Sequence, residues 1–328
     1  MTGPLVTIVT PAYNRATYLE GVIQSVLEQD YPNIEYIVLD DGSKDNTREM
    51  LKKYTGRIIW ESHSNMGETR TNNKGWSMAH GDIIATVNSD DPLLPGAIRA
   101  AVEFMQAQPE VLVAYPDWNM VDHRSELIGH VTAPEYDYLF MLRRHYCIVG
   151  PGAFIRHKAF DLTEMRDPDF RYVADFEYWL RLGVYGRFAR IPQTLATLRF
   201  HPDSATVKET GENMAQEHIR LIDKIYGMPD LPSGAEHVRS EAYGSAFYVA
   251  GVVCGDAPSP LKKWYYRRAL AYAPASFLTR YPGRLAVMLP TFLGMSFRHL
   301  KAENMKRFDY KHLVNRFKRH KPSTADFE

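Results

Sequence analysis

The chain reads as an α/β protein: a mostly parallel sheet flanked by helices, followed by a C-terminal helical extension. Three observations predict this. Short β-branched apolar runs alternate with amphipathic stretches four times in the first ~90 residues. Each run ends in a polar or turn-forming cluster. Past residue 205 the alternation stops, and three helical stretches follow, joined by Pro/Gly/Asp turns. A repeated strand–helix–strand pattern pairs strands in parallel through right-handed crossovers.

The elements follow in order. Residues 5–10 form a β-rich run ending at Pro11. Leu19, Val22, Ile23, Val26 and Leu27 then recur at helical spacing, so 16–29 is an amphipathic helix. Residues 34–39 are the second strand, ending in Asp40-Asp41-Gly42-Ser43. A helix over 44–54 has Ser43 or Asp45 available as its N-cap. The third strand is 57–61, and the helix 65–79 has a glycine-bearing entry. The fourth strand, 82–87, runs into Asn88-Ser89-Asp90-Asp91-Pro92, and Pro92 bars its continuation. A helix over 95–106 and a strand over 111–115 come next. Residues 116–150 read as less regular and aromatic. Gly150-Pro151-Gly152 is a turn entering a short strand. Residues 175–182 are helical, with Trp179 and Leu182 buried. The last strand, 195–200, ends in His201-Pro202-Asp203-Ser204. Helices over 212–226, 235–253 and 260–272 complete the pattern. With the boundary near 205–211, the expected domains are 1–208, carrying the sheet, and 209–328, basic and mainly helical.

Composition narrows the class. Apolar residues at 45% and charged residues at 24% are ordinary for a soluble globular protein. Cys147 and Cys254 are too few for a disulfide framework or a cysteine-based zinc site, so a reducing cytoplasm is expected. No secretory signal is expected. No segment offers the ~18 apolar residues of a membrane span, and the nearest, 285–297, is broken by Pro290. Lys+Arg and Asp+Glu balance at 39 each, but residues 261–328 hold 15 basic and 4 acidic residues, which leaves 24 and 35 for residues 1–260. An acidic body with a basic tail implies different partners for the two parts.

The chemistry collects at strand ends, where open α/β sheets bind ligands. The first end offers Thr10, Pro11, Ala12, Tyr13, Asn14 and Arg15, and the second Asp40 to Ser43. The third leads to Asn65-Met66-Gly67, Arg70, Asn73 and Gly75; the fourth offers Asn88, Asp90 and Asp91. Adjacent carboxylates are costly unless a cation neutralises them, and a divalent metal carrying a diphosphate would do so. Read alone, Asp90 could instead cap a helix while Asp91 is solvated.

The segments TPAYNR (10–15), LDDGSKDNT (39–47), NMGETRTNNKG (65–75) and NSDDP (88–92) are similar, in order and spacing, to the family 2 glycosyltransferases of the GT-A fold. The resemblance covers residues 4–205. It implies that Thr10, Pro11, Ala12, Tyr13 and Asp41 contact the nucleoside and that Arg70 contacts base or phosphate. It also implies that Asn88, Ser89 and Asp90 reach the donor. Asp90 and Asp91, with His201 of Arg199-Phe200-His201-Pro202-Asp203-Ser204, would hold a Mn²⁺ or Mg²⁺ ion. The family commonly shows Asp-x-Asp-Asp where this chain has Asn88-Ser89-Asp90-Asp91, so Asn88 brings a hydrogen bond but no charge. A second segment, Asp175-Phe176-Glu177-Tyr178-Trp179-Leu180-Arg181-Leu182, resembles the stretch in which an acid acts as general base, and Asp175 is the matching position. Ala174 replaces an acid often seen there, and Glu177 reads as a surface charge. Asp117 and Trp118 are expected near the donor sugar or acceptor, as is the turn at Gly150.

The resemblance implies an inverting, metal-dependent transfer of a sugar from a nucleotide-sugar to a hydroxyl of a saccharide or lipid-linked acceptor, in bacterial surface polysaccharide synthesis. A sugar nucleotidyltransferase would want a Gly-rich basic loop after the first strand, which TPAYNR is not. A non-catalytic nucleotide-sugar-binding partner of an assembly complex is the alternative that Asn88 supports. The basic tail, with Lys262-Lys263-Trp264-Tyr265-Tyr266-Arg267-Arg268 and 316–321, suits an anionic membrane surface at the inner face of the membrane. A solvated helical subdomain that packs on the catalytic domain or mediates oligomers is its other reading. No nucleic-acid recognition motif is present.

Overall fold

Val6–Ala12 (β1) is buried at all seven positions, as a strand covered on both faces must be. It pairs in parallel with Ile34–Asp40 (β2) on one side and with Ile83–Thr86 (β4) on the other. Ile59–Ser62 (β3) continues the parallel set beyond β2. Helices Ala16–Leu27 (α1), Thr47–Lys52 (α2), Glu68–Met78 (α3) and Ala97–Ala107 (α4) connect or follow these strands. In α1 the buried positions are Leu19, Val22, Ile23 and Val26, the periodicity read from the sequence. The sheet then turns mixed. Val113–Val121 (β5), Leu127–Val131 (β6), Phe154–Arg156 (β7) and Phe188–Arg199 (β8) complete an order β3-β2-β1-β4-β7-β5-β6, with β8 parallel to β5. Tyr138–Arg144 (α5) and Ala174–Leu182 (α6) lie between them. The computed structural model describes residues 3–202, 204, 211–255, 259–280 and 282–292.

Pro11 shows how the sheet opens a cleft. β1 pairs with β2 through Ala12, but its pairing with β4 stops at Val9. Along a parallel strand, successive residues point their backbone groups to opposite neighbours. Val9 accepts from Val87 on the β4 side and Ala12 accepts from Asp41 on the β2 side, so Pro11 faces the side where no strand pairs. Its missing N–H costs nothing there. The strand therefore runs two residues past the predicted end, and β1 and β4 diverge above it.

Several predicted elements differ in extent. Residues 116–150 are more regular than expected: they hold most of β5, all of β6, and α5, with Asp137 capping α5 by accepting from the Phe140 N–H at 2.8 Å. The last strand starts at Phe188 rather than 195 because β5 pairs with it over nine residues. The helix after β2 begins only at Thr47. Neither Ser43 nor Asp45 occupies its N-cap, although Asp45 accepts from the Thr47 N–H.

Glu212–Tyr226 (α7), Arg239–Val253 (α8), Pro260–Tyr272 (α9), Pro274–Thr279 (α10) and Pro282–Phe292 (α11) form the helical extension. Leu221, Ile222 and Ile225 of α7 and Ala242 and Ala246 of α8 belong to the same apolar core as the sheet. Phe247, Tyr265, Tyr266 and Phe277 form a second cluster between the later helices. Lys262, expected on the basic face, is buried and donates to the Gly255 carbonyl at 2.6 Å, whereas Trp264 is 48% exposed. Predicted basic residues at 316–321 lie outside the described residues. Among the described residues no helix is long and apolar enough to cross a membrane.

Candidate active site

A cleft of about 1170 Å³ opens above the C-terminal ends of β1, β2 and β4. Its walls come from most of the expected segments: Pro11, Ala12, Tyr13 and Arg15; Asp41; Asn65 to Arg70; Asn88 to Asp91; Val149 to Ala153; and Arg171, Tyr172 and Asp175. Thr10 is an exception. It is wholly buried, and its hydroxyl lies 3.1 Å from the Tyr36 hydroxyl in the core, so it cannot contact a donor through its side chain.

Asp41 shapes the wall it belongs to. Its Oδ1 accepts from the Met66 N–H at 2.7 Å, and its Oδ2 accepts from Gly67 N–H at 2.9 Å and the Asn65 side-chain amide at 3.0 Å. Gly67 sits at φ +88°, in the left-handed region that favours glycine, and its turn delivers α3. Any bond from Asp41 to a nucleoside must use the lone pairs left over, since a carboxylate has about four.

The two adjacent acids after β4 differ. Asp91 is buried; its Oδ1 accepts from the Arg199 N–H at 2.7 Å and its Oδ2 from the Asn88 amide at 3.0 Å. Burial pushes its carboxyl upward, and the neighbouring Asp90 adds to this. Asp90 opens on the cleft, with Oδ2 2.9 Å from His201 Nε2 and 3.3 Å from Arg15 Nε. His201 is 1% exposed and packs on the Tyr18 ring. Arg199 donates through Nε to the Asp90 carbonyl and through Nη1 to the Asp122 carbonyl, and so fixes the backbone that carries both acids.

Metal-ligand chemistry can be tested against this set. A carboxylate and an imidazole nitrogen facing each other suit Mn²⁺, which accepts both oxygen and nitrogen; two protein ligands leave positions for diphosphate oxygens and water. Among the described residues no group of three or more His, Cys, Asp or Glu gathers in this way. Asp90 with His201 fits such an ion. Asp91, expected as a ligand, also lines the cleft, but each of its oxygens already accepts one bond, so a metal would have to use the lone pairs left over.

Asp175 also lines the cleft and is exposed at the start of α6. The N-cap position belongs to Val173, so Asp175 is not the cap, although its Oδ1 accepts from the Phe176 N–H at 2.7 Å. Glu68 lines the cleft within electrostatic reach of both Asp175 and Asp90. Its side chain opens on the cleft, but the enclosing protein raises its carboxyl; Arg166 opposes this, and Asp175 and Asp90 both add to it. Beside Asp175 the Cys147 thiol is held well above its usual range, first by burial and then by that carboxylate, so it stays protonated.

Three expectations need correction. Glu177 is not a surface charge: it is wholly buried, bonded to Arg181 through both oxygens and 2.7 Å from Lys224. Asp117 does not face the cleft. It makes a two-pronged pair with Arg190, at 2.7 and 2.6 Å, and accepts from the Ala133 N–H. Trp118 is also absent from the lining; it packs under Gly150, where a Cβ would strike its ring. The turn at Gly150 does line the cleft, and Gly152 takes φ +74° with Ala196 2.7 Å from where a Cβ would stand.

Residues 7–162 match the family described as glycosyl transferase family 2. The matched stretch is just under half of the chain. Asp175 and His201 lie beyond the matched stretch. Hyaluronan synthase of Pasteurella multocida is 27% identical over 216 residues, which is 63% of this chain but only 22% of that protein. The chain thus spans about a fifth of the synthase's length. Among solved structures, S. aureus TarS in complex with UDP-GlcNAc superposes with a TM-score of 0.58 at 14% identity, covering 85% of this chain and 92% of that one. Mannosyltransferase PcManGT of Pyrobaculum calidifontis, in complex with GDP-Man and Mn²⁺, gives 0.56 at 17%, covering 87% and 79%. These likenesses establish the GT-A fold. The family 2 match supports a glycosyltransferase, with relatives in polysaccharide synthesis.

Proposed function

We propose that the chain is an inverting, metal-dependent glycosyltransferase. It moves a sugar from a nucleoside-diphosphate donor to a hydroxyl of a saccharide or lipid-linked acceptor during bacterial surface polysaccharide assembly. The observation that supports it is the placing of Asp175 and Asp90 on the lining of one cleft, with Glu68 sensing both charges. In this reading Tyr13 and the Asp41-held turn at 65–67 receive the nucleoside. Arg15 and Arg70 meet the diphosphate. Asp90 and His201 would hold Mn²⁺ or Mg²⁺, which when bound neutralises the diphosphate and its leaving charge.

The chemistry asked of the chain is a single displacement. Asp175 accepts the proton of the acceptor hydroxyl as that oxygen bonds to the anomeric carbon. The bond from that carbon to the diphosphate oxygen breaks, and the nucleoside diphosphate leaves. Attack opposite the leaving group inverts the anomeric configuration. A carboxylate is a sufficient base if it is aligned, because positioning supplies much of the acceleration.

The test is nucleotide release from a panel of UDP-, dTDP- and GDP-sugars with Mn²⁺ and oligosaccharide acceptors, followed by NMR of the product's anomeric proton. Release with an inverted linkage is expected for one donor. Donor binding without turnover across the panel would favour a non-catalytic nucleotide-sugar-binding partner, and a retained configuration would contradict the displacement.

A further inference from the structure

The loop 166–172 runs along the cleft and leads, three residues later, to Asp175. Arg166, Phe170, Arg171 and Tyr172 of this loop line the cleft. Two elements hold it. From α3, the Asn73 amide donates to the Arg166 carbonyl at 2.7 Å and the Thr69 hydroxyl to the Phe170 carbonyl at 3.1 Å. From α7, outside the family match, three side chains at helical spacing reach the same loop. Lys224 pairs with Asp167 at 2.6 Å, Arg220 donates to the Asp169 carbonyl at 2.9 Å, and Glu217 takes the loop's end.

Glu217 is the distinctive member. It is 5% exposed, and its carboxylate accepts three bonds from the backbone: Arg171 N–H to both oxygens at 3.0 Å and Tyr172 N–H to Oε2 at 2.7 Å. A buried carboxylate is costly, and it is retained where its charge is answered by fixed donors. Here the donors are backbone groups just ahead of the helix that presents Asp175. Val173 caps that helix without a side-chain bond, so the approach of the chain to α6 is fixed from α7.

We infer that Glu217 is a positioning residue for transfer: α7 sets the loop 171–172, and through it the direction in which Asp175 faces the acceptor hydroxyl. This rests on Asp175 being the base. It assigns the first turn-and-a-half of the helical extension to the reaction, not only to packing. Displacing a reacting group by about 1 Å can cost a hundredfold in rate, whereas the donor side, held by Asp41, Arg199 and Asp90, is untouched.

The experiment compares Glu217→Gln, Glu217→Ala and Asp175→Asn with wild type, using the donor that the panel identifies. Transfer kinetics are measured beside donor-binding stoichiometry and affinity by calorimetry. Glutamine keeps one acceptor oxygen but turns an N–H₂ toward a backbone donor. The expected result is a fall in kcat of about tenfold for Glu217→Gln and about a hundredfold for Glu217→Ala, with a raised acceptor KM. Donor binding should stay at one site per chain with unchanged affinity. Wild-type turnover in both variants overturns the inference, and so does a donor-site count that falls in step with rate, which marks a merely structural role. If Glu217→Ala does not fold, Glu217→Gln decides alone. Full turnover of Asp175→Asn removes the base itself; an inactive Asp175→Asn beside fully active Glu217 variants removes only the positioning role.

Discussion

At the scale of single residues, the cleft is built from carboxylates with divided labour. All four line the cleft, but Asp41 and Asp91 bond backbone and amide donors through both oxygens, whereas Asp175 accepts from a backbone N–H through Oδ1 and Asp90 meets His201 and Arg15 through Oδ2. Asp41→Ala should therefore act first on structure. It strands the N–H groups of Met66 and Gly67, a loss of about 3 kcal/mol on the scale of buried donors left without a charged acceptor. Urea denaturation should show that loss, and nucleoside-diphosphate affinity should fall with it because the freed turn lines the cleft. Unchanged affinity would separate the turn from the nucleoside. Most cleft residues were legible in the sequence because each follows a strand, and the fold gathers strand ends. Thr10 was misread by one position: it still lies within the sheet, against Tyr36 in the core, whereas Pro11 and Ala12 at the end of the strand line the cleft. Asp117 and Glu177 were misread for another reason. Asp117's partner Arg190 lies 73 residues onward and Glu177's second cation, Lys224, 47 onward, beyond any local pattern, although Glu177's other partner, Arg181, stands at the legible i+4 spacing. Arg199 could have been found, since it shares with His201 the segment singled out at the end of β8.

At the scale of elements, the parallel half of the sheet was legible and the mixed half was not. β1, β2 and β4 are apolar runs bounded by turns, and the helices between them repeat at 3.6 residues. β5 and β8 carry polar residues, such as Asp117, Asn119 and Thr194, inside their ladders, and register shifts at Pro116 and Asp117 break any period of two. Their length comes from pairing with each other, which is tertiary information. α7 was predicted at its observed bounds, and helical spacing sets His218 on the apolar face with Ala215, Leu221 and Ile222, yet a carboxylate at 217 and an imidazole at 218 look by type like surface residues. What it does for the cleft emerges only when the loop 166–172 is laid beside it.

At the scale of the whole molecule, sheet and helical extension share one core, and a buried histidine pair sits at their joint. His145, just past α5, and His218, on α7, place Nε2 and Nδ1 2.9 Å apart, with Phe176 of α6 against the first ring. Burial lowers both; the nearby His218 and Arg284 lower His145 further, and His218 falls to about 4. The unfolded chain takes up these protons near pH 6.5, whereas in the folded chain His218 refuses its proton until about pH 4 and His145 is also held well below its ordinary range. Between those values the unfolded state binds more protons, so stability is fully present above about pH 6.5 and is lost as pH falls toward 4. The unfolding midpoint should drop across that window, and His218→Leu should flatten the slope relative to wild type. Parallel slopes in the two proteins would mean that the pair does not carry the effect.

The central claim is that Asp175 takes the acceptor's proton from across the cleft in which Asp90 helps to bind the donor. The direct measurement is Asp175→Asn, assayed for donor affinity and for single-turnover transfer on the same preparation. The account predicts wild-type donor affinity with transfer reduced by about a hundred- to ten-thousandfold, the range general-base catalysis supplies. Transfer within a few-fold of wild type, or donor affinity lost together with transfer, would contradict it.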